Sequence, residues 1–153
     1  MSAGGPVGVA VRVAGEGEAD ALGDLDPVAA ERGSGRRESI RRWCAERSVL
    51  VAQDASGPLG YCVVEYTFFE QGFVPMVMVA PGARGRGVGR LLLGAAARAC
   101  MTPKLFTSTN LSNQPMHRLL LRAGWSPAGL VHGLDEGDPE VFYLHGPLTG
   151  TGG

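Results

Sequence analysis

A glycine-rich segment between an apolar stretch and a helical pattern carries the clearest chemical signal of the sequence. It reads PGARGRGVGR, with glycines at alternate positions from Gly85 to Gly89. In the first turn of a helix the backbone N–H groups lack carbonyl partners, and the helix dipole adds about half a positive charge. Glycines allow a phosphate oxygen to reach these N–H groups, because no side chain intervenes. The segment therefore predicts a site for a phosphate-bearing ligand at a helix N-terminus.

Residue spacing separates three kinds of phosphate-binding loop. The dinucleotide pattern GxGxxG needs a third glycine where Arg90 stands, and the pattern GxxxxGK[ST] needs a lysine where Val88 follows Gly87. The pattern RxxGxG fits, through Arg84, Gly87 and Gly89. The alternative is a glycine-rich connection whose arginines simply face water. A structural loop has little need for glycines at alternate positions, so the binding interpretation is favoured.

These residues resemble the GNAT family of N-acetyltransferases, in which [QR]xxGx[GA] holds the pyrophosphate of coenzyme A. A second segment, SNQPMHRLLLRAGW, is similar to the family's NxxAxxLYxxxGF. Its matching positions are Asn113, Met116, Leu119, Gly124 and Trp125. The resemblance implies an α+β fold: a mixed, mostly antiparallel sheet of six or seven strands, flanked by about four helices and splayed between the fourth and fifth strands. It also implies acetyl-coenzyme A as the co-substrate.

The resemblance implies that coenzyme A contacts two segments and one further residue. The pyrophosphate would be held by Arg84, Gly85, Arg86, Gly87, Val88, Gly89 and Arg90. The pantetheine arm would lie in the splay, along the fourth-strand residues Val77, Met78 and Val79. Asn113 either contacts the arm or caps its own helix, since asparagine is a preferred N-cap. His117, one turn later, is expected at the surface.

Two positions depart from the family's catalytic pattern. Leu120 stands where the family has a tyrosine that acts as general acid, and Pro75 stands where many relatives have a glutamate base. A general acid contributes typically ~10²–10⁴-fold to the rate. A thiol with a pKa of about 8.5 also leaves tolerably well unaided, so the departure weakens catalysis without excluding it. Pro75 cannot donate to a ladder and predicts an edge or a bulge.

Glu65 is the predicted general base, because it is an ionisable residue that shares a strand face with Tyr61 and Val63. Four carboxylates lie in the stretch DEGDPE, residues 135–140. They either attract a cationic amine or form an exposed acidic turn. His132 and His145 flank this stretch and receive no role. No metal site is expected, because the three cysteines are widely spaced and form no CxxC pair.

Hydrophobic periodicity predicts the elements that position these residues. The predicted strands cover residues 7–13, 48–53, 59–69, 73–79, 105–109, 128–132 and 141–145. The predicted helices cover 36–47, 88–99 and about 113–123. The run 73–79 is continuously apolar and is expected to be buried on both faces. The stretch 15–27 gives no clear prediction.

Length and composition limit the class of protein. The 153 residues fit a single domain, predicted over 1–146, with a disordered tail over 147–153. A net charge of −1 argues against a nucleic-acid partner, and no apolar segment is long enough for a membrane helix. The cysteine usage favours a reducing compartment, and a cytoplasmic location is expected.

The sequence is compatible with two functions of different classes. The resemblance implies acetyl transfer from acetyl-coenzyme A to a primary amine of a small molecule or peptide, by direct attack in a ternary complex. The alternative is a coenzyme A-binding protein without acetyltransferase activity, which the residues Leu120 and Pro75 motivate. Whether the chain forms a homodimer also stays open.

Overall fold

The computed structural model describes residues 6–146, so the predicted tail over 147–153 lies outside the described residues. Seven strands form one sheet in the order β1-β2-β3-β4-β5-β7-β6. The strands are β1 Ala10–Val13, β2 Val49–Asp54, β3 Gly57–Phe68, β4 Gln71–Val79, β5 Leu105–Asn110, β6 Trp125–Val131 and β7 Glu140–His145. Neighbouring strands are antiparallel except β4 and β5, which are parallel. The predicted mixed, mostly antiparallel sheet is confirmed.

In the described part of the chain, four α-helices flank the sheet. They are α1 Ala19–Leu25, α2 Arg36–Ala45, α3 Val88–Ala99 and α4 Gln114–Arg122. Helix α1 lies in the stretch 15–27, which has no clear hydrophobic pattern, because seven residues are too few to show a helical period. Strand β6 begins at Trp125, earlier than predicted, and includes Pro127 at a register irregularity. An edge strand tolerates a proline there, since one of its sides needs no ladder donor.

The parallel strands β4 and β5 separate after three paired positions. The pairs are Gly72–Leu105, Phe73–Phe106 and Val74–Thr107, and β4 then continues to Val79. Pro75 comes directly after the last pair, within a bulge of β4 against β3. Because Pro75 has no N–H, it cannot continue the ladder. The predicted splay and the predicted bulge are both confirmed.

The prediction that residues 73–79 are buried on both faces is wrong. Val74 and Met78 are buried, whereas the other five residues of this run are only half-buried. The reason is the splay, which removes the neighbouring strand from one edge of β4 beyond Val74. The apolar run therefore lines an opening rather than a closed core.

Two hydrophobic cores hold the layers together, one on each face of the sheet. The core under α3 and α4 contains Leu92, Leu120 and Trp125. The core under α1 and α2 contains Ile40 and Tyr61. Each fully buried aliphatic side chain contributes about 1.5–3 kcal/mol relative to exposure. The two cores hold the helices against the two faces of the sheet.

A buried ion pair fastens the segment between α1 and α2 to the sheet. Asp26, only 2% exposed, accepts a hydrogen bond from Arg36 Nη1 at 2.6 Å and another from the hydroxyl of Tyr61 at 2.8 Å. Burial, together with the bond to the carboxylate, raises the pKa of Tyr61. The same arginine lies 3.4 Å from the sulfur of Met76, on β4. The cluster thus sets the position of α2 beside the splayed half of β4.

Within residues 6–146, no helix is long and apolar enough to cross a lipid bilayer.

Candidate functional site

The loop before α3 is shaped by two glycines that adopt left-handed backbone angles. Gly85 and Gly87 have φ of +79° and +80°, a region that side chains disfavour. Gly87 is the N-cap of α3, and its carbonyl accepts the first helical bond from Leu91 N at 3.1 Å. The N–H groups of the first turn have no carbonyl partner within the helix. Val88, 1% exposed, anchors this turn in the core, so the turn is fixed where a ligand would meet it.

A cleft of about 660 Å³ opens between the first turn of α3, the helix α4 and the splayed part of β4. Its lining residues come from all three elements and from the glycine loop. They are Val77, Met78, Val79, Ala83, Arg84, Gly85, Gly87, Val88, Gly89, Arg90, Asn113, Pro115, Met116, Arg118, Leu119 and Arg122. Four of these are arginines, and none is acidic within the described part of the chain. A chain with a net charge of −1 therefore concentrates formal positive charge in one cleft, which suits an anionic ligand.

Most of the residues predicted to contact coenzyme A lie together in this cleft. The strand residues, the glycine loop, the first turn of α3 and Asn113 all line it. Arg86 is the exception: its Nη2 lies 3.3 Å from Oδ2 of Asp54 instead. The loop turns at Gly85 and Gly87, so Arg86 projects on the other side from Arg84 and Arg90.

Sequence reasoning missed two arginines of the cleft, Arg118 and Arg122. They lie one turn apart on α4, on the side that also carries Leu119. Their i, i+4 spacing places both side chains on one face of a helix and could have identified them. The core-facing side of this helix was instead predicted from its apolar residues alone. Only the packing of α4 beside α3 brings them near Arg84 and Arg90.

Asn113 caps helix α4 at the edge of the cleft. Its Oδ1 accepts a hydrogen bond from Met116 N at 3.3 Å, and its Nδ2 donates to Thr109 Oγ1 at 3.1 Å. The side chain thus acts as a helix cap, the first-turn role for which asparagine is preferred. The residue also lines the cleft, so a ligand there would pass directly beside the cap.

Leu120 lies in the core rather than at the cleft. It is fully buried, and its partners in the core include Trp125 and Tyr143. Helix α4 instead presents Met116 and Leu119 to the cleft. The leucine at the family's tyrosine position is therefore a packing residue in this chain.

His117, expected at the surface rather than in the site, is only partly exposed and does not line the cleft. The imidazole is half-buried, with Nδ1 2.6 Å from the hydroxyl of Tyr143 and Nε2 3.0 Å from the carbonyl oxygen of Asn110. A carbonyl can only accept, so Nε2 carries a proton, and in the neutral imidazole Nδ1 then accepts from the hydroxyl of Tyr143. The contact joins α4 to β7 and to the end of β5. His132 and His145 are exposed, and His145 packs edge-on against Trp125 at 5.4 Å between ring centroids.

Glu65 lies on the sheet face that α2 covers. Its Oε1 accepts a hydrogen bond from Trp43 Nε1 at 2.7 Å, and its side chain is half-buried. In the register of β3 and β4 it is opposite Phe73, one position before the last pair of β4 and β5. The carboxylate is thus held near the closed end of the splay, on the opposite face from α3 and α4.

The acidic stretch 135–140 is largely bonded to the end of β5 and the loop after it. Asp135 accepts from Asn110 Nδ2 at 2.7 Å, and Asp138 accepts from the hydroxyl of Ser112 at 2.6 Å. Glu140 accepts from the hydroxyl of Ser108 at 3.1 Å. Three of the four carboxylates are therefore structural acceptors, and the stretch is not a free acidic turn. In residues 6–146, no group of three or more His, Cys, Asp or Glu side chains is arranged to hold a metal ion.

Comparison with known proteins gives the family. The model of the Acetyltransferase (GNAT) family matches residues 20–125, more than half of the chain. A GNAT acetyltransferase from Bacillus cereus has a TM-score of 0.84 and 28% identity, over 92% of this chain and 98% of that one. A Salmonella typhimurium protein solved with its cofactor acetyl-CoA has a TM-score of 0.71 and 20% identity, over 90% of this chain and 92% of that one.

A ribosomal-protein-alanine N-acetyltransferase from Brucella melitensis has a TM-score of 0.70 and 22% identity, over 88% of this chain and 98% of that one. At such identities the last two comparisons show the shared fold alone. No curated protein sequence matches the chain significantly. The family model and the splayed seven-stranded sheet agree, and this chain belongs to the GNAT family of acetyltransferases.

Proposed function

We propose that this chain transfers the acetyl group of acetyl-coenzyme A to a primary amine of a small molecule or peptide, by direct attack within a ternary complex. The observation that supports it best is the arginine-lined cleft, which runs from the N-terminus of α3 to the opening between β4 and β5. Coenzyme A has matching parts: phosphates at one end and an amide-bearing arm that ends in the thioester.

The glycine loop fits a pyrophosphate. Gly85 and Gly87 carry no Cβ, and a Cβ added at Gly87 would project into nearly open space. That space is where phosphate oxygens would approach the N–H groups of Val88 and Gly89. The exposed guanidinium groups of Arg84 and Arg90 would add charge-assisted hydrogen bonds, for which arginine suits phosphate.

The opening beside β4 fits the amide-bearing arm. Beyond Val74, the side of β4 that faces β5 pairs with no strand of the described chain. We propose that the backbone groups of Val77 and Val79 bond the arm as a further strand would, by strand addition. The half-buried side chains of this segment would cover its methylene groups.

When bound, acetyl-coenzyme A supplies the activated acyl group and a thiol as the leaving group. The chain's own contribution is to orient the acceptor and to take its proton. We propose Glu65 as the base: Trp43 fixes one carboxylate oxygen, and among the described residues the other accepts no hydrogen bond. Leu120 has no proton to give and is buried, so the sulfur leaves as thiolate.

The second candidate function is coenzyme A binding without acetyl transfer. The observation that favours it is the fully buried Leu120, together with Pro75 in the bulge of β4. Neither of the family's two usual proton-transfer positions can then act. The cleft is unchanged by this alternative, so binding of coenzyme A alone does not decide between the two functions.

The test measures binding and transfer separately. Titration calorimetry with coenzyme A gives the affinity, and release of free thiol from acetyl-coenzyme A, with mass spectrometry of the products, gives transfer to a broad panel of amines. Glu65→Gln keeps the size of the side chain and is expected to lower kcat by about 10²-fold or more with an unchanged affinity for coenzyme A. The matched control is Glu136→Gln, at an exposed carboxylate. Binding without transfer to any amine would establish the second candidate instead.

A further inference from the structure

All five phenylalanines of the chain lie in one cluster, and neither hydrophobic core of the described chain contains one. The phenylalanine cluster consists of Phe68, Phe69, Phe73, Phe106 and Phe142. Phe68 is central, with ring centroids 5.0 Å from Phe69, 5.0 Å from Phe73, 5.2 Å from Phe106 and 5.5 Å from Phe142. Four of the rings are half-buried, and Phe69 is 85% exposed. All the phenylalanine rings are therefore at the surface and partly exposed to water.

The cluster lies at the closed end of the opening between β4 and β5. Phe73 and Phe106 are opposite each other in the register, and the next pair, Val74 and Thr107, is the last before the strands part. Val74 belongs to the core under α3 and α4. Because side chains alternate along a strand, Phe73 and Phe106 point to the other face. The phenylalanine cluster therefore lies on the sheet face opposite α3 and α4. The arginine-lined cleft begins three residues beyond Val74 along β4, at Val77.

The turn that presents Phe69 adopts an unfavourable backbone. Phe69 and Glu70 have φ of +51° and +64°, where glycine or asparagine is the usual residue of such a hairpin turn. Bulky residues in this region are strained, and strained positions cluster at functional sites. The turn holds the exposed ring of Phe69 beside Phe68, and a hairpin turn does not by itself require an exposed aromatic residue.

Carboxylates border the cluster on two sides. Glu65 is opposite Phe73 in the register of β3 and β4. Glu140 lies two residues before Phe142 on β7, on the same face, and is bonded to Ser108, which is opposite Phe142. Aromatic faces themselves attract cations through the quadrupole of the ring. A surface of ring faces bordered by negative charge complements a positively charged group attached to an aromatic body.

We infer that the acceptor of this chain is an arylalkylamine, a primary amine attached by a short chain to an aromatic ring. The inference rests on the proposed acetyl transfer and names its substrate class. The phenylalanine cluster stacks against the ring, while Glu65 and Glu140 attract the ammonium group to the closed end of the splay.

The ammonium loses one proton to Glu65, and the neutral nitrogen forms the C–N bond to the acetyl carbon as the C–S bond breaks. The sulfur keeps the electron pair as thiolate, and the second proton of the nitrogen passes to solvent.

The experiment compares three amines under saturating acetyl-coenzyme A: 2-phenylethylamine, 2-cyclohexylethylamine and propylamine. We expect kcat/KM for 2-phenylethylamine to exceed that for propylamine roughly tenfold or more, since contacts in an apolar pocket discriminate by that order. Phe142→Leu and Phe106→Leu keep apolar volume and remove the ring, so each should abolish the preference of phenyl over cyclohexyl. The control is Leu121→Ala, at a 54% exposed residue of α4 that lines neither the cleft nor the phenylalanine cluster, and it should keep the preference.

The outcomes separate the inference from the proposed function. Equal kcat/KM for the phenyl and cyclohexyl amines, or transfer to aliphatic amines or peptides alone, overturns the inference and leaves acetyl transfer intact. No transfer to any amine, with coenzyme A bound, overturns the proposed function and the inference with it. If Phe142→Leu or Phe106→Leu changes the sedimentation coefficient and not the amine preference, the cluster is a contact between copies of the chain and the inference is wrong.

Discussion

The hydroxyl of Thr107 donates a hydrogen bond to the carbonyl oxygen of Val74 across 2.7 Å, at the last pair that β4 and β5 share. Both residues are almost fully buried, at 2% and 1% exposure. Immediately afterwards Pro75 interrupts the ladder and the strands separate. This bond therefore closes the narrow end of the opening, next to the pair Phe73–Phe106 of the phenylalanine cluster.

Replacement of Thr107 should loosen this end of the opening. Thr107→Val keeps the shape and removes the donor, so the free energy of unfolding should fall by about 1–3 kcal/mol, and the affinity for coenzyme A should fall with it. Thr107→Ser keeps the hydroxyl and loses only a methyl group, worth about 0.8 kcal/mol, with an unchanged affinity. Urea unfolding and calorimetry measure the two effects. Equal coenzyme affinity in all three proteins would show that the bond does not set the opening.

The glycine loop offers a matched pair of substitutions. Gly87→Ala places a side chain at φ +80° and in the space proposed for the pyrophosphate, and it should lower coenzyme A affinity at least tenfold. Gly82→Ala, in the same loop, meets no atom within 4 Å and has no left-handed φ, so it should bind normally. Gly89 is less suitable, because an added Cβ would lie 3.0 Å from Leu119 Cδ2 and disturb the packing of the helices. Normal binding by Gly87→Ala would move the phosphate site elsewhere.

Restoring the family's tyrosine should not restore its chemistry. Leu120 is fully buried among core residues, so Leu120→Tyr forces extra volume and a hydroxyl into a packed interior. We expect a loss of about 1–3 kcal/mol of stability and no increase in acetyl transfer at low pH. Leu120→Met, which conserves volume, should cost less than about 1.5 kcal/mol. Faster transfer by a stable Leu120→Tyr protein would show that position 120 reaches the leaving sulfur.

The chain should lose stability in acid partly through Glu18. Hydrogen bonds from Arg12, with an Nη1–Oε2 distance of 2.8 Å, and from Gly15 N lower the pKa of Glu18 from 4.5 to about 2. A lowered pKa in the folded state stabilises the fold above pH 4.5, and this contribution disappears as the pH falls from 4.5 towards 2. Because both side chains are partly exposed, the expected contribution is about 1 kcal/mol. Melting temperatures of Glu18→Gln should therefore change less between pH 6 and pH 3 than those of the unmodified chain, and parallel curves would contradict the assignment.

Much of the fold and of the arginine-lined cleft was predictable from local signals. The alternating glycines, the apolar stripe of α3 and the proline at position 75 each act through their nearest neighbours in the chain. Gly87 must start a helix near Val88, and Pro75 must interrupt a ladder wherever that ladder runs. Such constraints depend on backbone sterics and hydrogen bonding over a few residues, so the sequence alone determined them.

The tertiary structure decided which side chains face one another. Arg118 and Arg122 joined the cleft, and His117 contacts Tyr143, because helix α4 packs where its distant partners allow. Arg86 pairs with Asp54, the last residue of β2, which lies 32 positions away in the chain. The phenylalanine cluster draws on residues as far apart as Phe68 and Phe142, which meet only when β5 lies beside β4 and β7 lies beside β5. Periodicity tells which face of a strand a residue occupies, but not which strands are neighbours. Strand order is a long-range property, since it depends on the packing of the whole chain, and only the folded structure shows it.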